Sequence, residues 1–315
     1  MGDINGLHHV TAFASDPQEN LDFFRNVLGL RFIKRTVRFD VPEEIYHLYY
    51  GDGVGTAGSI VTFFPIRGMP NGEVGKGQIS GCGLIIPDGS VDYWEDRFEE
   101  HGIEHVTTER FDETAIEFTD PDGTPFELVT GTSEINPWDG GDVPTEHGVR
   151  GLHSATVHSN DPAGTFRALK TMGWERIGRQ DYPQTGDRVR FEAPGARTGA
   201  DFIDVLIRPN APQGVMGTGT FLHVAFDAGE KEEQKEWSDR FRDAGLITTS
   251  RKDRDYFWSM YFTEPGGSVF EFATTGPGMT LDEDVDELGE HLRVPDWLDV
   301  DVEYIDEQLP DLTLD

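Results

Sequence analysis

The sequence repeats one pattern four times, and this repetition constrains the fold more than any other feature. Each copy opens with a short apolar strand, continues into a helix that ends at a glycine, and closes with several β-rich segments. The glycines that end the four helices are Gly29, Gly102, Gly173 and Gly245. We therefore predict an α+β chain made of four βαβββ modules.

The repeats also suggest where the chain divides. A segment rich in glycine and proline, residues 131–148, separates the second module from the third and is expected to be a linker. The predicted divisions are 1–148 (modules 6–68 and 77–131, then the linker), 149–276 (modules 151–208 and 219–276) and 277–315, an acidic C-terminal extension. We expect this extension to contain no strand and to fold back on the body.

The charge balance is strongly negative. The chain has 59 acidic and 26 basic residues, a formal net charge of −33, and no basic cluster. Such a surface repels phosphate backbones and anionic lipids, so neither nucleic acid nor a membrane surface is an expected partner. The acidic residues are spread over the whole chain rather than confined to a tail, which favours a salt-adapted protein from a halophile; an ordinary acidic protein is the alternative.

Cysteine content and hydropathy bear on the compartment. Cys82 is the single cysteine, which excludes an internal disulfide and a cysteine-based zinc cluster. No stretch approaches 18 apolar residues, and the N-terminus lacks the pattern of a signal peptide. We therefore expect a soluble cytoplasmic protein, with a homo-oligomer left open.

The closing segments carry a shared motif. In the second and fourth modules a Pro-x-Gly turn precedes Phe126-Glu127 and Phe270-Glu271. Four βαβββ modules with this ending resemble the vicinal oxygen chelate superfamily, which includes glyoxalases, bleomycin-resistance proteins and extradiol dioxygenases. The resemblance covers residues 6–276. It implies that two modules pair into an open barrel, with metal ligands at the start of the first strand and near the end of the last.

The four copies differ in what they place at those two ligand positions. The first position is occupied, at intervals of 72, 73 and 69 residues, by His9, Gly81, Ser154 and His223. The second is occupied by Thr62, Glu127, Ile203 (or Asp204 with a one-residue slip) and Glu271. If the first module pairs with the fourth, the site contains two imidazoles, one carboxylate and an open side. That donor set is typical of Fe(II) oxygenases, with Mn(II) as the alternative ion.

The remaining two modules are expected to form a partner without metal. His153 invites assignment as a ligand, but its register matches His8 rather than His9. Because a shift of one residue turns a strand side chain to the other face, His153 is not an expected ligand.

A narrower resemblance starts from the N-terminal Leu-His-His-Val-Thr. Together with Arg254 and Tyr261 at a fixed spacing before Glu271, it is similar to the hydroquinone and chlorohydroquinone 1,2-dioxygenases. The resemblance implies that His8, Thr11, Arg254 and Tyr261 surround the metal or face an aromatic substrate, which reacts with O2. The sequence departs from that group at Leu222, where the group can carry a histidine. Lys252, 19 residues before Glu271, holds the position equivalent to a histidine near the metal in the catechol enzymes.

Three alternatives stay open at this point. A glyoxalase-like lyase or isomerase requires four protein ligands, and Thr62 at the fourth position argues against it. A catechol extradiol dioxygenase shares the ligand set. A bleomycin-resistance-type binding protein shares the fold and has no catalytic metal, so fold by itself does not decide the function.

Overall fold

The computed structural model describes residues 4–42, 45–181, 186–195, 199 and 201–314. Residue 1 and Asp315, where the first and last predicted divisions of the chain begin and end, lie outside these residues. The described strands are β1 (Leu7–Ala14), β2 (Arg31–Val37), β3 (Tyr46–Gly51), β4 (Ile60–Pro65), β5 (Gln78–Ile86), β6 (His105–Arg110), β7 (Glu113–Thr119), β8 (Pro125–Thr130), β9 (Leu152–His158), β10 (Glu175–Gln180), β11 (Asp187–Glu192), β12 (Phe202–Ile207), β13 (Phe221–Asp227), β14 (Lys252–Asp253), β15 (Phe257–Thr263) and β16 (Val269–Pro277). The described α-helices are α1 (Pro17–Asp22), α2 (Val91–His101), α3 (Pro162–Thr171), α4 (Lys231–Asp243) and α5 (Val302–Gln308).

The strands form two curled eight-stranded sheets. One has the order β14-β15-β16-β13-β1-β4-β3-β2 and combines the first and fourth modules. The other has the order β10-β11-β12-β9-β5-β8-β7-β6 and combines the second and third modules. The α+β fold of four modules is therefore confirmed. Strand pairing crosses the predicted division near residue 148, so each sheet takes one module from each side of it.

The helices follow the predicted pattern with one local difference. Helix α2 ends where Gly102 adopts a left-handed conformation (φ 68°), which a residue without Cβ adopts at little cost. Helix α1 is shorter than predicted because the chain continues after Asp22 as a π-helical turn, Phe23–Val27, before Gly29. None of the described helices combines the length and the apolar character needed to cross a bilayer.

Aromatic side chains join the helices to the sheets and the sheets to each other. Phe241 of α4 packs against Phe272 with ring centroids 4.5 Å apart, and both side chains are fully buried. Phe126 of the second sheet meets Phe221 of the first at 5.4 Å. One continuous core thus fixes the two sheets relative to each other and gives the strand ends a rigid support.

The C-terminal extension folds back on the body, as predicted. The predicted extension begins at residue 277, but Pro277 is still the last residue of β16. The described residues after it, 278–314, contain no strand beyond an isolated bridge, Arg35 to Leu292, and they contain helix α5, which the sequence pattern did not suggest. Trp297 meets Phe39 at 5.2 Å, close to the edge strand β2. The extension therefore covers an edge that would otherwise be free to pair with another chain.

Candidate metal centre

Three side chains with metal-binding atoms meet on the first sheet. His9 lies on β1, His223 on the neighbouring β13, and Glu271 on β16, which pairs with β13 on its other side. Nε2 of His9 is 3.3 Å from Nε2 of His223. Oε2 of Glu271 is 2.8 Å from Nε2 of His223 and 3.5 Å from Nε2 of His9. The pairing of the first module with the fourth brings together residues that are more than 200 positions apart in the chain.

The three atoms fit a divalent ion. In a six-coordinate site with metal-ligand bonds of about 2.1 Å, neighbouring ligand atoms lie about 3 Å apart, similar to the distances here. Oε2 of Glu271 is buried and accepts no well-formed hydrogen bond from the described residues. A bound cation would provide the partner that this oxygen lacks. Within the described part of the chain, no other group of three such side chains comes together.

The electrostatics favour the protonation state that a metal requires. Burial acts to raise the pKa of Glu271, but the imidazoles of His223 and His9 outweigh burial and hold this pKa well below its ordinary value. Burial lowers the pKa of His223, which favours the neutral imidazole. Ser259 donates a hydrogen bond to the other oxygen of Glu271, Oε1, and fixes the carboxylate. An ionised carboxylate is the form that binds a cation.

A β-bulge places His8 behind His9. Leu7 and His9 are two steps apart on β1, whereas their partners Phe226 and Ala225 are only one step apart on β13, so His8 is the extra residue. Its Nδ1 consequently lies 2.9 Å from Nδ1 of His9 rather than on the opposite face of the strand.

The contacts of His8 determine which nitrogen of His9 carries the proton. Nε2 of His8 is 3.2 Å from the carbonyl oxygen of Thr274, which only accepts, so Nε2 is the donor. Burial, together with the neighbouring His9, lowers the pKa of His8 to about 4, so its Nδ1 is a free acceptor. His9 therefore donates through Nδ1 and keeps the lone pair of Nε2 for the cluster.

The predicted residue Thr11 lies at the base of the cluster. Its Oγ1 is 2.8 Å from Nε2 of His223 and 2.8 Å from Oγ1 of Thr62. Thr62 is opposite Thr11 in β4, at the position where the repeat would place a fourth ligand. Both threonines are fully buried, and their hydroxyls bond to each other and to the histidines.

A cavity of about 290 Å³ opens from the cluster. Arg254 and Tyr261, predicted to face a substrate, both line it, and Nε of Arg254 donates to the hydroxyl of Tyr261 at 3.2 Å. Burial and the nearby Glu271 raise the pKa of Tyr261, so the phenol keeps its proton at neutral pH. Although burial acts to lower the pKa of Arg254, Tyr261 and Glu271 outweigh it and raise that pKa, so the guanidinium stays charged. Leu222 and Lys252 also line the cavity.

Sequence reasoning missed two residues on the opposite wall. His47 and Tyr49 of β3 line the same cavity, and the Tyr49 hydroxyl is 2.9 Å from Nδ1 of His47. Both side chains point to one face because they are two residues apart on a strand. The signal was present in the alternation of His47-Leu48-Tyr49, but without strand pairing nothing indicated that this face meets the cluster.

The second sheet has the same geometry with different side chains. Asp204 of β12 lies opposite Thr156, as Thr62 lies opposite Thr11, so Asp204 rather than Ile203 holds the second ligand position. Arg190 binds Asp204 through two bonds of 2.8 and 3.0 Å.

The other carboxylate at a ligand position in this sheet is also paired. Glu127 forms an ion pair with Arg110 at 2.8 Å, and Arg188 lies between Glu127 and Asp204, at 4.0 and 3.3 Å. Guanidinium groups therefore balance the two carboxylates.

His153 does not belong to the metal cluster. It is the extra residue of a bulge in β9, which makes it the structural counterpart of His8. Its Nδ1 contacts the Ser154 hydroxyl and its Nε2 is 3.1 Å from Glu113. His153 thus has the register of His8, as the sequence predicted, but the bulge places its Nδ1 beside Ser154 instead of turning the ring to the opposite face of the strand.

Comparison with known proteins matches the family and the fold. Residues 6–128 match the model of the Glyoxalase/Bleomycin resistance protein/Dioxygenase superfamily. The chain is 39% identical over 292 residues to "Putative ring-cleaving dioxygenase MhqO" of Bacillus subtilis, covering 92% of this chain and 91% of that protein. It is 33% identical over 310 residues to the chlorohydroquinone/hydroquinone 1,2-dioxygenase of Sphingobium indicum, covering 94% and 93%. The crystal structure of a "putative dioxygenase from Bacillus subtilis" superposes with a TM-score of 0.93 at 36% identity, covering 100% of this chain and 99% of the other.

Proposed function

This chain belongs to the glyoxalase/bleomycin resistance protein/dioxygenase superfamily, and on that premise we propose that it is an iron(II)-dependent dioxygenase that opens the ring of a para-diphenol with O2. The observation that carries the proposal is the cluster of His9, His223 and Glu271, which faces a cavity lined by aromatic and cationic side chains. Relatives over the whole length of the chain carry the name ring-cleaving dioxygenase, and one of them is named for hydroquinone.

The ligand set determines what a bound metal contributes. His9, His223 and Glu271 would hold Fe(II), or Mn(II) as the alternative, which supplies redox and Lewis-acid chemistry for O2 and a phenol on the open side. His8 keeps the Nε2 lone pair of His9 available, and Ser259 keeps Glu271 in place. These two supports fix the ligand atoms before an ion arrives.

The pair of Arg254 and Tyr261 would receive an oxygen of the diphenol. Since Arg254 already donates to the tyrosine oxygen, the hydroxyl proton of Tyr261 is the donor that this pair offers to a ligand. The guanidinium favours an anionic oxygen beside it, so the pair stabilises a phenolate relative to a phenol.

The apolar part of the cavity fits a flat ring. Phe64, Phe257 and Leu222 line it, and Phe257 packs against the rings of His8 and His9 at 5.1 Å. These side chains give the cavity an apolar part next to the ligand atoms, which suits an aromatic ring. They offer no hydrogen-bond donor or acceptor to a substrate, so recognition of its hydroxyl groups depends on the polar side chains of the cavity.

Oxygen uptake by protein loaded anaerobically with iron tests the proposal. We expect uptake, and a ring-opened product, with hydroquinone or methylhydroquinone in molar KCl. Glu271→Gln removes a ligand charge and should abolish bound iron and uptake together. Glu127→Gln is the matched control, because Glu127 holds the equivalent position in the second sheet and is paired with Arg110.

The other outcomes separate the alternatives. Oxygen uptake with catechol, but not with hydroquinone or methylhydroquinone, indicates a catechol extradiol enzyme and contradicts the proposed substrate. Protein that binds iron through Glu271 but consumes no oxygen with any diphenol contradicts a dioxygenase and favours a lyase or isomerase. Protein that binds no metal at all leaves a ligand-binding role.

A further inference from the structure

The first module builds a wall of the cavity that mirrors the wall built by the fourth. Tyr49 of β3 lies opposite Thr62 of β4, just as Tyr261 of β15 lies opposite Glu271 of β16. Two residues earlier on each strand, His47 is the counterpart of Ser259. Ser259 holds Glu271 by a hydrogen bond, and His47 holds Thr62 in the same way, with Nε2 3.0 Å from Oγ1.

A continuous line of hydrogen bonds leads from this wall to the metal cluster. It runs from the Tyr49 hydroxyl to Nδ1 of His47 (2.9 Å), from Nε2 of His47 to Thr62 (3.0 Å), and from Thr62 to Thr11 (2.8 Å). Every distance is within the normal range for a hydrogen bond. The line ends at the Thr11 hydroxyl, which lies 2.8 Å from the ligand atom Nε2 of His223 and beside the position where the repeat would place a fourth ligand.

The direction of the donors along this line follows from Tyr49. Its side chain is 1% exposed, and burial raises its pKa well above the ordinary value, so the phenol keeps its proton. Its hydroxyl contacts Nδ1 of His47, and leaving a buried hydroxyl proton without an acceptor is unfavourable. Tyr49 is therefore the donor, and a neutral His47 has its one proton on Nε2, directed at Thr62.

The ring of His47 has a fixed place at the cavity wall. It stacks on Phe64 with centroids 4.1 Å apart and an interplanar angle of 28°. The side chain is only partly buried and lines the cavity, in contrast to the two threonines below it. The ring of His47 therefore lines the same cavity as Arg254 and Tyr261.

We propose that His47, oriented by Tyr49, is a positioning residue for the reaction: it sets the hydroxyls of Thr62 and Thr11 against the open side of the metal-ligand cluster. This inference rests on the proposed dioxygenase function. An oxygen that reaches the cluster from the side of Thr62 meets a hydroxyl whose orientation His47 has already fixed, so less reorganisation is needed during the reaction.

Steady-state kinetics with iron content measured on the same samples test the inference. His47→Leu removes both hydrogen bonds at similar volume, and we expect kcat to fall roughly 10- to 100-fold with iron content unchanged, as for other residues that support a metal site. Thr62→Val breaks the line at its next member and should lower kcat in the same way. Tyr49→Phe removes only the orienting bond and should have a smaller effect in the same direction.

Two matched controls separate this role from general destabilisation. Tyr50→Phe deletes a hydroxyl on the same strand that bonds to Asn20 in the core, and His153→Leu removes a buried histidine from the second sheet. Both should keep kcat within about twofold of the wild type. An active wild type whose kcat is unchanged in His47→Leu contradicts the inference, and loss of iron in that variant also does, because His47 would then support metal binding itself.

A second measurement does not depend on activity. NMR spectra of zinc-loaded protein with ¹⁵N-labelled histidine identify the resonances of His47, because they are missing in His47→Leu. In the wild type these resonances should show the proton on Nε2, and in Tyr49→Phe they should shift. A proton on Nδ1 contradicts the donor direction. Wild-type protein without oxygen uptake refutes the proposed function and with it the role of His47, whereas a failure confined to the His47 variants refutes the positioning role only.

Discussion

At the scale of single residues, a neighbouring histidine determines how a metal ligand presents its nitrogen. The bulge at His8 turns what would be an opposite-facing side chain into a direct partner of His9. The carbonyl of Thr274 fixes the proton of His8, and His8 in turn fixes that of His9. His8 was predicted to take part in catalysis, and its contacts support a role through His9 rather than contact with a substrate.

This arrangement predicts a loss of metal affinity. In His8→Leu the Nδ1 proton of His9 loses its acceptor, so the ring is free to rotate or to change tautomer. We expect the affinity for Mn(II) or Fe(II) to fall roughly 10- to 100-fold, measured by anaerobic competition with a chelator. His153→Leu makes the same change at the structural counterpart in the second sheet. Equal affinity in the two variants contradicts the assigned role of His8.

At the scale of elements, the C-terminal extension is tied to the first sheet by a buried ion cluster. Lys34 of β2 has no exposed side-chain surface and pairs with Asp282 at 2.7 Å and with Glu283. Asp282 also accepts a hydrogen bond from Tyr256 at 3.0 Å. Tyr256 lies two residues after Arg254, so the extension supports a segment that contributes to the cavity wall.

This cluster predicts that the stability of the fold depends strongly on the ion pair of Lys34 with Glu283. Lys34→Met leaves the buried Glu283 without its main partner, and we expect the free energy of unfolding to fall by about 3–5 kcal/mol. Adding Glu283→Gln removes the unpaired charge and should recover a large part of the loss. Urea unfolding of the wild type, both single variants and the double variant measures the coupling. Additive effects would contradict a cluster that acts as one unit.

At the scale of the whole molecule, charge dominates. A net charge of −33 means that the folded state carries strong self-repulsion at low ionic strength. The ion pairs of the second sheet, such as Arg190 with Asp204, are buried and change little with salt, whereas the surface carboxylates are screened. We propose on this basis that the protein works in the cytoplasm of a salt-adapted cell.

Salt should therefore stabilise the protein. The Debye length falls from about 10 Å at 0.1 M to about 3 Å at 1 M, so we expect most of the gain below about 1 M KCl. A stabilisation of about 2 kcal/mol would raise Tm by about 3 °C in a protein of this length, measured by calorimetry across a KCl series. Sucrose of equal osmolarity is the control, because it excludes itself from the surface without screening charge. A Tm that does not change with KCl would contradict salt adaptation.

The sequence by itself determined the modules and the metal-binding side chains. The fourfold pattern and the helix-ending glycines are local, since they depend on strand alternation and on backbone conformations near each residue. His9, His223 and Glu271 could be found because the repeat fixes their positions within each module. Register was local enough to separate His153 from His9, but it left Ile203 and Asp204 unresolved.

Only the tertiary structure decided which modules share a sheet and what surrounds the metal. The contact of β1 with β13 joins segments more than 200 residues apart, and no local pattern encodes such a pairing. The bulge at His8 arises within that pairing, and the same pairing brings Thr11 beside His223. The clamp of Lys34 is also a long-range contact, since it joins β2 to the C-terminal extension. The physical reason is that a local pattern determines which face of a strand is buried, whereas packing across the whole core determines which other strand or helix that face contacts.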